Sequence, residues 1–182
     1  MSEIADFIFR ILRCISIYYL SHYSYSYFCW MSKKVKIGDQ LPEFSLPDQN
    51  GDTINIYDYL GKPLVIYFYP KDDTPGCTKE ACYFRDQFEV FAEYGAKIFG
   101  ISSDSPESHR KFAEKYNLNF TLLSDEDHTV EKLFAVPRSI LGLISGRVTY
   151  IIDKEGTVIH IFNSLFNADQ HIEEALKVIK SL

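Results

Sequence analysis

Cysteine is scarce in this 182-residue chain, with only Cys14, Cys29, Cys77 and Cys82. Four thiols are too few for a disulfide-stapled secreted scaffold, and they point to a reducing compartment, the cytoplasm. Basic runs are absent, and Asp and Glu outnumber Lys and Arg by 25 to 19, for a formal charge of −6. Phosphate binding relies on clustered cations, so nucleic acid is excluded as the main partner. No uninterrupted apolar run reaches the roughly twenty residues of a bilayer helix, and no repeat or low-complexity linker divides the chain. What is present is 46% hydrophobic and 24% charged residues, the composition of one globular domain with a substantial core.

Residues 1–34 read differently from residues 35–182. Ile4, Phe7, Ile8, Ile11, Leu12, Ile15 and Tyr19 fall at helical spacing. Arg10 and Arg13 interrupt that apolar run, and Glu3 and Asp6 stand where a secretory signal carries positive charge. The plainer expectation is an extension without a role of its own, or an upstream start with the chain proper beginning at Met31. The alternative is an amphipathic helix that touches a membrane surface through residues 4–20.

From Gly38 the patterns are regular. F-S-L-P-D-Q-N-G-D-T-I-N-I reads as a β-hairpin turning at Asn50-Gly51. Leu64–Tyr69 is a short β-favouring apolar run, the signature of a buried central strand. Cys82, Phe84, Phe88, Phe91 and Tyr94 predict one helix ended by Gly95. A strand at Lys97–Ser102 precedes a helix capped by Ser105, with Pro106 at its first position and its end near Tyr116. Phe120–Leu123 reads as a strand and Glu126–Phe134 as a helix. R-V-T-Y-I-I-D and T-V-I-H-I-F form two strands around the K-E-G turn. Ala168–Leu182 is an amphipathic helix with Ile172, Leu176 and Ile179 on one face. This order implies an α/β domain of thioredoxin-like fold, with an N-terminal β-hairpin and a mixed central sheet flanked by helices.

Cys77 and Cys82 stand five positions apart in P-K-D-D-T-P-G-C-T-K-E-A-C, where a strand gives way to a helix. They could be a structural disulfide, a metal site, or two thiols that act in sequence. On one ideal helix their Cα atoms lie roughly 8.6 Å apart, beyond the ~4.4–6.8 Å that a disulfide spans, so a staple would have to unwind its own helix. No histidine lies near the motif to complete a metal site, and the spacing is not C-x-x-C. Cys82 alone also fits a small buried hydrophobe. Cys77 is different. It follows Gly76 at the helix start, where unpaired N–H groups and the positive dipole end favour an anion and so make thiolate. Thr74 places a hydroxyl three residues before that sulfur. Such a site can activate a thiol without a histidine base.

The same stretch resembles the peroxiredoxins, and within them the bacterioferritin comigratory protein or peroxiredoxin Q group. Pro70, Thr74 and Cys77 satisfy P-x-x-x-T-x-x-C, and Cys82 stands where that group's two-cysteine members carry their second thiol. V-K-I-G-D-Q-L-P-E-F-S-L-P-D, G-I-S-S-D-S-P-E-S-H and R-V-T-Y-I-I-D extend the resemblance over about residues 35–182. It implies a thiol peroxidase acting on hydrogen peroxide and organic hydroperoxides, recycled by thioredoxin or a similar dithiol, monomeric, and without metal, haem or flavin. Carried over, Cys77 is the peroxidatic nucleophile and Cys82 the resolving thiol, the two joined by an intramolecular disulfide. Thr74 orients the peroxide, Pro70 shields the pocket, and Arg147 stabilises the thiolate. Arg138 is the local competitor for the arginine's place, and Glu80 is a further candidate that the helix dipole explains equally well. His22, His109, His128, His160 and His171 receive no catalytic role, and Asp72-Asp73 is expected to be a solvated turn.

Overall fold

Leu64–Phe68 is buried at every position and forms the middle of a five-stranded sheet. The computed structural model describes residues 34–139 and 144–182. The helix expected over residues 4–20, the start at Met31, and Cys14 and Cys29 lie outside the described residues.

In chain order the elements are strands β1 (Ser45–Pro47), β2 (Thr53–Asn55) and β3 (Leu64–Phe68), helices α1 (Pro75–Asp86) and α2 (Phe88–Glu93), and strand β4 (Lys97–Ser102). Helix α3 (Pro106–Tyr116), strand β5 (Thr121–Ser124) and helix α4 (Thr129–Leu133) follow. The chain then forms β6 (Arg138–Ser139), β7 (Ile144–Ser145), β8 (Val148–Ile152), β9 (Val158–Asn163) and α5 (Ala168–Ile179). The sheet order is β5-β4-β3-β8-β9. Strands β3, β4 and β5 are parallel, and β8 and β9 join antiparallel.

Because strand side chains alternate between faces, β3 feeds two cores. Leu64, Ile66 and Phe68 pack with Phe99, Leu123, Phe134 and Tyr150 on one face. Val65, Tyr67 and Tyr69 pack with Phe84, Phe91, Phe112 and Ile172 on the other, under α1, α3 and α5.

Three local expectations change. The hairpin closes from Asp48 N to Asp52 O, around a longer tip than the two-residue turn expected, because the Asp48 carboxylate also takes Asn50 N and Asp52 N. Gly51 meets that turn's demand for a positive φ of 88°. The single helix ending at Gly95 is broken at Gln87, which caps α1. The helix expected from Glu126 begins only at Thr129, since Asp125 instead turns its carboxylate onto Val130 N and Glu131 N.

Candidate active site

Strand β3 ends at Phe68, opposite Val148 of β8 in antiparallel register. The chain running out of β3 therefore meets the chain running into β8 at the same sheet end. Pro70 to Thr74 leave there and Arg147 arrives there. Thr74 has extended dihedrals (φ −89°, ψ 148°), Pro75 opens α1, and Cys77 lies in its first turn. Proline suits that opening because its missing N–H would be unpaired anyway.

Cys77 is 2% exposed and Arg147 3%. Arg147 Nη2 donates to Cys77 Sγ at 3.4 Å, while Nη1 donates to the Glu80 carboxylate and to Gly76 O. Arg147 Nε donates to Leu165 O at 3.2 Å, which fixes the guanidinium plane. Gly76 is what lets the guanidinium come so close, since a Cβ there would stand 3.1 Å from Nη2. Arg138 is elsewhere, paired through Nε with Glu131 Oε1 at 3.0 Å.

Thr74 is the residue that precedes α1, three positions before Cys77. Its hydroxyl donates to Lys71 O at 3.1 Å, which leaves the oxygen lone pairs to accept. Pro70 is half-buried just beyond β3. Cys82 is a free thiol, partly exposed, on the same helix as Cys77. The two cysteines are thus brought onto one element but not into bonding distance, which a regular helix sets at roughly 8.6 Å between Cα atoms.

Behind the guanidinium lie Glu80, the further candidate of the sequence reading, and two residues given no role there, His171 and Tyr67. Glu80 is fully buried, and burial pushes its carboxyl up to about 8 against the opposing pull of Arg147. Its Oε1 has no hydrogen-bond partner and lies 3.8 Å from His171 Nδ1. His171 Nε2 is 2.8 Å from Ser164 O, and Nδ1 is 2.8 Å from the Thr149 hydroxyl. Burial pushes this imidazole down, to about 4. The Tyr67 hydroxyl is also buried without a partner, and burial together with Glu80 and Cys77 drives its ionisation well upward. A signal for His171 did exist: it recurs with Ala168, Ile172, Ala175 and Ile179 on the buried stripe of α5.

Asp72 departs from the solvated turn expected of it. It is 7% exposed, and its carboxylate meets the Tyr69 hydroxyl at 2.7 Å, Ser108 Oγ at 2.8 Å and His109 Nδ1 at 2.9 Å. Asp73 is exposed and held by Lys115 and Tyr116 of α3. Among the described residues no cluster of three or more His, Cys, Asp or Glu could hold a metal. None of their helices is long and apolar enough to cross a membrane.

The core of the site is a buried thiol at a helix start with a guanidinium donating to its sulfur. Residues 37–161 match the AhpC/TSA family, and the chain belongs to that family. Peroxiredoxin Q of Populus jackii, described as chloroplastic, is 50% identical over 149 residues, which are 82% of this chain and 70% of that protein. Peroxidoxin BcpB of Mycobacterium tuberculosis superposes with a TM-score of 0.76 at 40% identity, covering 81% of this chain and 98% of its own. The Xanthomonas campestris bacterioferritin comigratory protein, a structure described for its alkyl peroxide reduction activity, gives 0.70 at 31% identity over 79% and 98% of the two chains. Within the family the chain is a peroxiredoxin of the bacterioferritin comigratory protein and peroxiredoxin Q group, a thiol-dependent peroxidase with the thioredoxin-like fold.

Proposed function

We propose that Cys77 is the peroxidatic nucleophile of this peroxidase, that Cys82 resolves it, and that a thioredoxin-type dithiol recycles the pair. The observation that carries this reading is Arg147 Nη2 on Cys77 Sγ at 3.4 Å in the first turn of α1. Thiolate Cys77 attacks one peroxide oxygen, the O–O bond breaks, and the sulfur becomes a sulfenic acid. Arg147 supports both the thiolate and the charge that develops on the departing oxygen. Thr74 accepts a hydrogen bond from the peroxide O–H and so orients it, and Pro70 screens the pocket.

Cys82 then displaces water from the sulfenic sulfur to form the disulfide. The helical separation means that α1 must unwind first, and the same unwinding brings a buried sulfur out to the reductant. Substrates are hydrogen peroxide and organic hydroperoxides, consistent with the alkyl peroxides named for the Xanthomonas relative. Residues 35–182 form the catalytic domain, with residues 1–34 as an extension to it, and the enzyme works as a monomer. Its compartment keeps thiols reduced: the cytoplasm on the sequence reading, while the plant relatives are described as chloroplastic.

One equivalent of hydrogen peroxide added to the fully reduced protein tests this. A loss of about 2 Da with a linked Cys77–Cys82 peptide is expected. A gain of about 16 or 32 Da on Cys77 would instead require an outside thiol to resolve it. Peroxide turnover that survives Cys77→Ser would remove the assignment altogether.

A further inference from the structure

The buried site holds one strong cation and two groups that can be anions. Arg147 spends Nη2 on Cys77 and Nη1 on Glu80, and all three residues are almost wholly buried. A second buried anion sharing a single cation is left largely uncompensated, at a cost of several kcal/mol. No other group facing Glu80 supplies the missing positive charge. From α5, His171 has Ser164 O at Nε2, an oxygen that only accepts. The tautomer that donates there leaves Nδ1 to take the Thr149 hydroxyl proton, so the ring is satisfied while neutral. From β3, Tyr67 presents a neutral hydroxyl. Glu80 Oε1 meets no donor at all, which makes it the poorest place in the site for negative charge and the natural place for a proton.

We propose that Glu80 is the acid that keeps this site neutral: it is protonated while Cys77 is a thiolate and gives that proton up as Cys77 becomes a sulfenic acid. The inference rests on the assignment of Cys77 as the peroxidatic thiol. The step balances. The thiolate attacks the terminal oxygen of RO–OH, a sulfur–oxygen bond forms, and the O–O bond breaks with its electron pair leaving as alkoxide. Sulfur is oxidised and the peroxide reduced. The Glu80 proton ends on the alkoxide oxygen, releasing the alcohol, or water when R is hydrogen. Arg147 pairs with the thiolate before the step and with the Glu80 carboxylate after it, so net charge stays at zero throughout. The upward push of burial on Glu80 agrees with this, because the acid is then the prevailing form at neutral pH. A fixed anion on the helix dipole does not account for this carboxyl, because Glu80 lies beyond the first turn of α1 and the dipole's pull fades past that turn.

The test is an infrared difference spectrum of the reduced Cys82→Ser protein before and after one equivalent of peroxide at neutral pH. That substitution stops the cycle at the sulfenic acid. A carboxylic-acid carbonyl band should disappear and a carboxylate band appear, both absent in Cys82→Ser/Glu80→Gln and both shifted by carboxyl-labelled [13C]glutamate. The labelling needs no change at the site, so it decides the matter even if Glu80→Gln fails to fold. The single-oxidation rate of the parent should fall above about pH 8, as Glu80 loses its proton. Glu80→Gln should be slower by on the order of 10²-fold and lack that alkaline limb. Oxidation of Cys77 with the carboxyl bands unmoved would overturn the proposal and leave the Cys77 assignment standing. Peroxide consumed with Cys77 unmodified would remove the assignment itself.

Discussion

Two buried polar clusters flank the start of α1, and they are built on opposite principles. On the α3 side, Asp72 accepts from Tyr69 and Ser108 and lies 2.9 Å from His109 Nδ1, and its own N–H reaches Asp104 Oδ2 at 2.8 Å. His109 completes the cluster through Nε2, 3.2 Å from Leu123 O. On the α5 side, Arg147 and Glu80 share their charge with a sulfur, while Glu80 Oε1 and the Tyr67 hydroxyl have no partner. A satisfied buried network rigidifies, whereas an unsatisfied one costs stability. The first cluster therefore acts as an anchor for the loop that carries Thr74. The second retains its strain in the place where chemistry needs charge to move.

Removing the cation tests this contrast most severely. Arg147→Ala should lower the peroxide rate by on the order of 10³-fold and cost about 1–3 kcal/mol by taking the donor away from the buried Glu80 carboxyl and Cys77 sulfur, read by peroxide consumption and denaturant unfolding. Asp72→Ala should cost about 3 kcal/mol, because it leaves His109 with an unpaired buried nitrogen. The folded fraction should keep far more activity than Arg147→Ala retains. An equal loss of rate would show that the anchor takes part in the chemistry.

Gly76→Ala separates activity from stability. Its Cβ would crowd Arg147 Nη2, so the rate should drop roughly tenfold. Unfolding should shift by less than ~1 kcal/mol, since alanine is the better helix former. A protein that is slower and also less stable by more than that would mean that the whole turn had moved.

The smallest effect is on stability against pH. Glu80 is raised from 4.5 to about 8, so its contribution is complete below pH 4.5 and is lost as pH rises through about 8. His171 is lowered from 6.5 to about 4, so its contribution is present above pH 6.5 and is lost as pH falls through about 4. The two slopes offset between about pH 4.5 and 6.5, and stability should decline on either side. Denaturant midpoints measured across pH should lose the alkaline decline in Glu80→Gln. A decline that persists there would assign it to another group.

Much of this was legible in the chain itself. Thr74, Pro75, Gly76 and Cys77 are consecutive, and a helix start is governed by the residues that form it, so a thiol on an anion-favouring turn could be read without coordinates. Hydrophobic runs and turn residues likewise placed nearly every strand and helix of residues 35–182, since burial of one face imposes a period. The exceptions were the helix broken at Gln87 and the delayed start at Thr129, where single side-chain and capping contacts overrode the apolar pattern. The strands β6 and β7 were also missed, being only two residues each.

The partners of Cys77 could not be read in the same way. Arg147 stands 70 positions from it; in the sequence only the family resemblance preferred it to Arg138, and in the fold the antiparallel register that sets Phe68 against Val148 brings it to the thiol. His171 and Glu80 come from different helices and look, one at a time, like a core histidine and a helix-start carboxylate. Asp72 looked solvated because a turn sequence carries no sign of the helix that will pack over it. Local spacing determined where the thiol is, in the first turn of a helix behind a proline and a glycine. Only tertiary packing decided which charges share its buried surroundings, because burial and pairing depend on segments that the chain brings together from far apart.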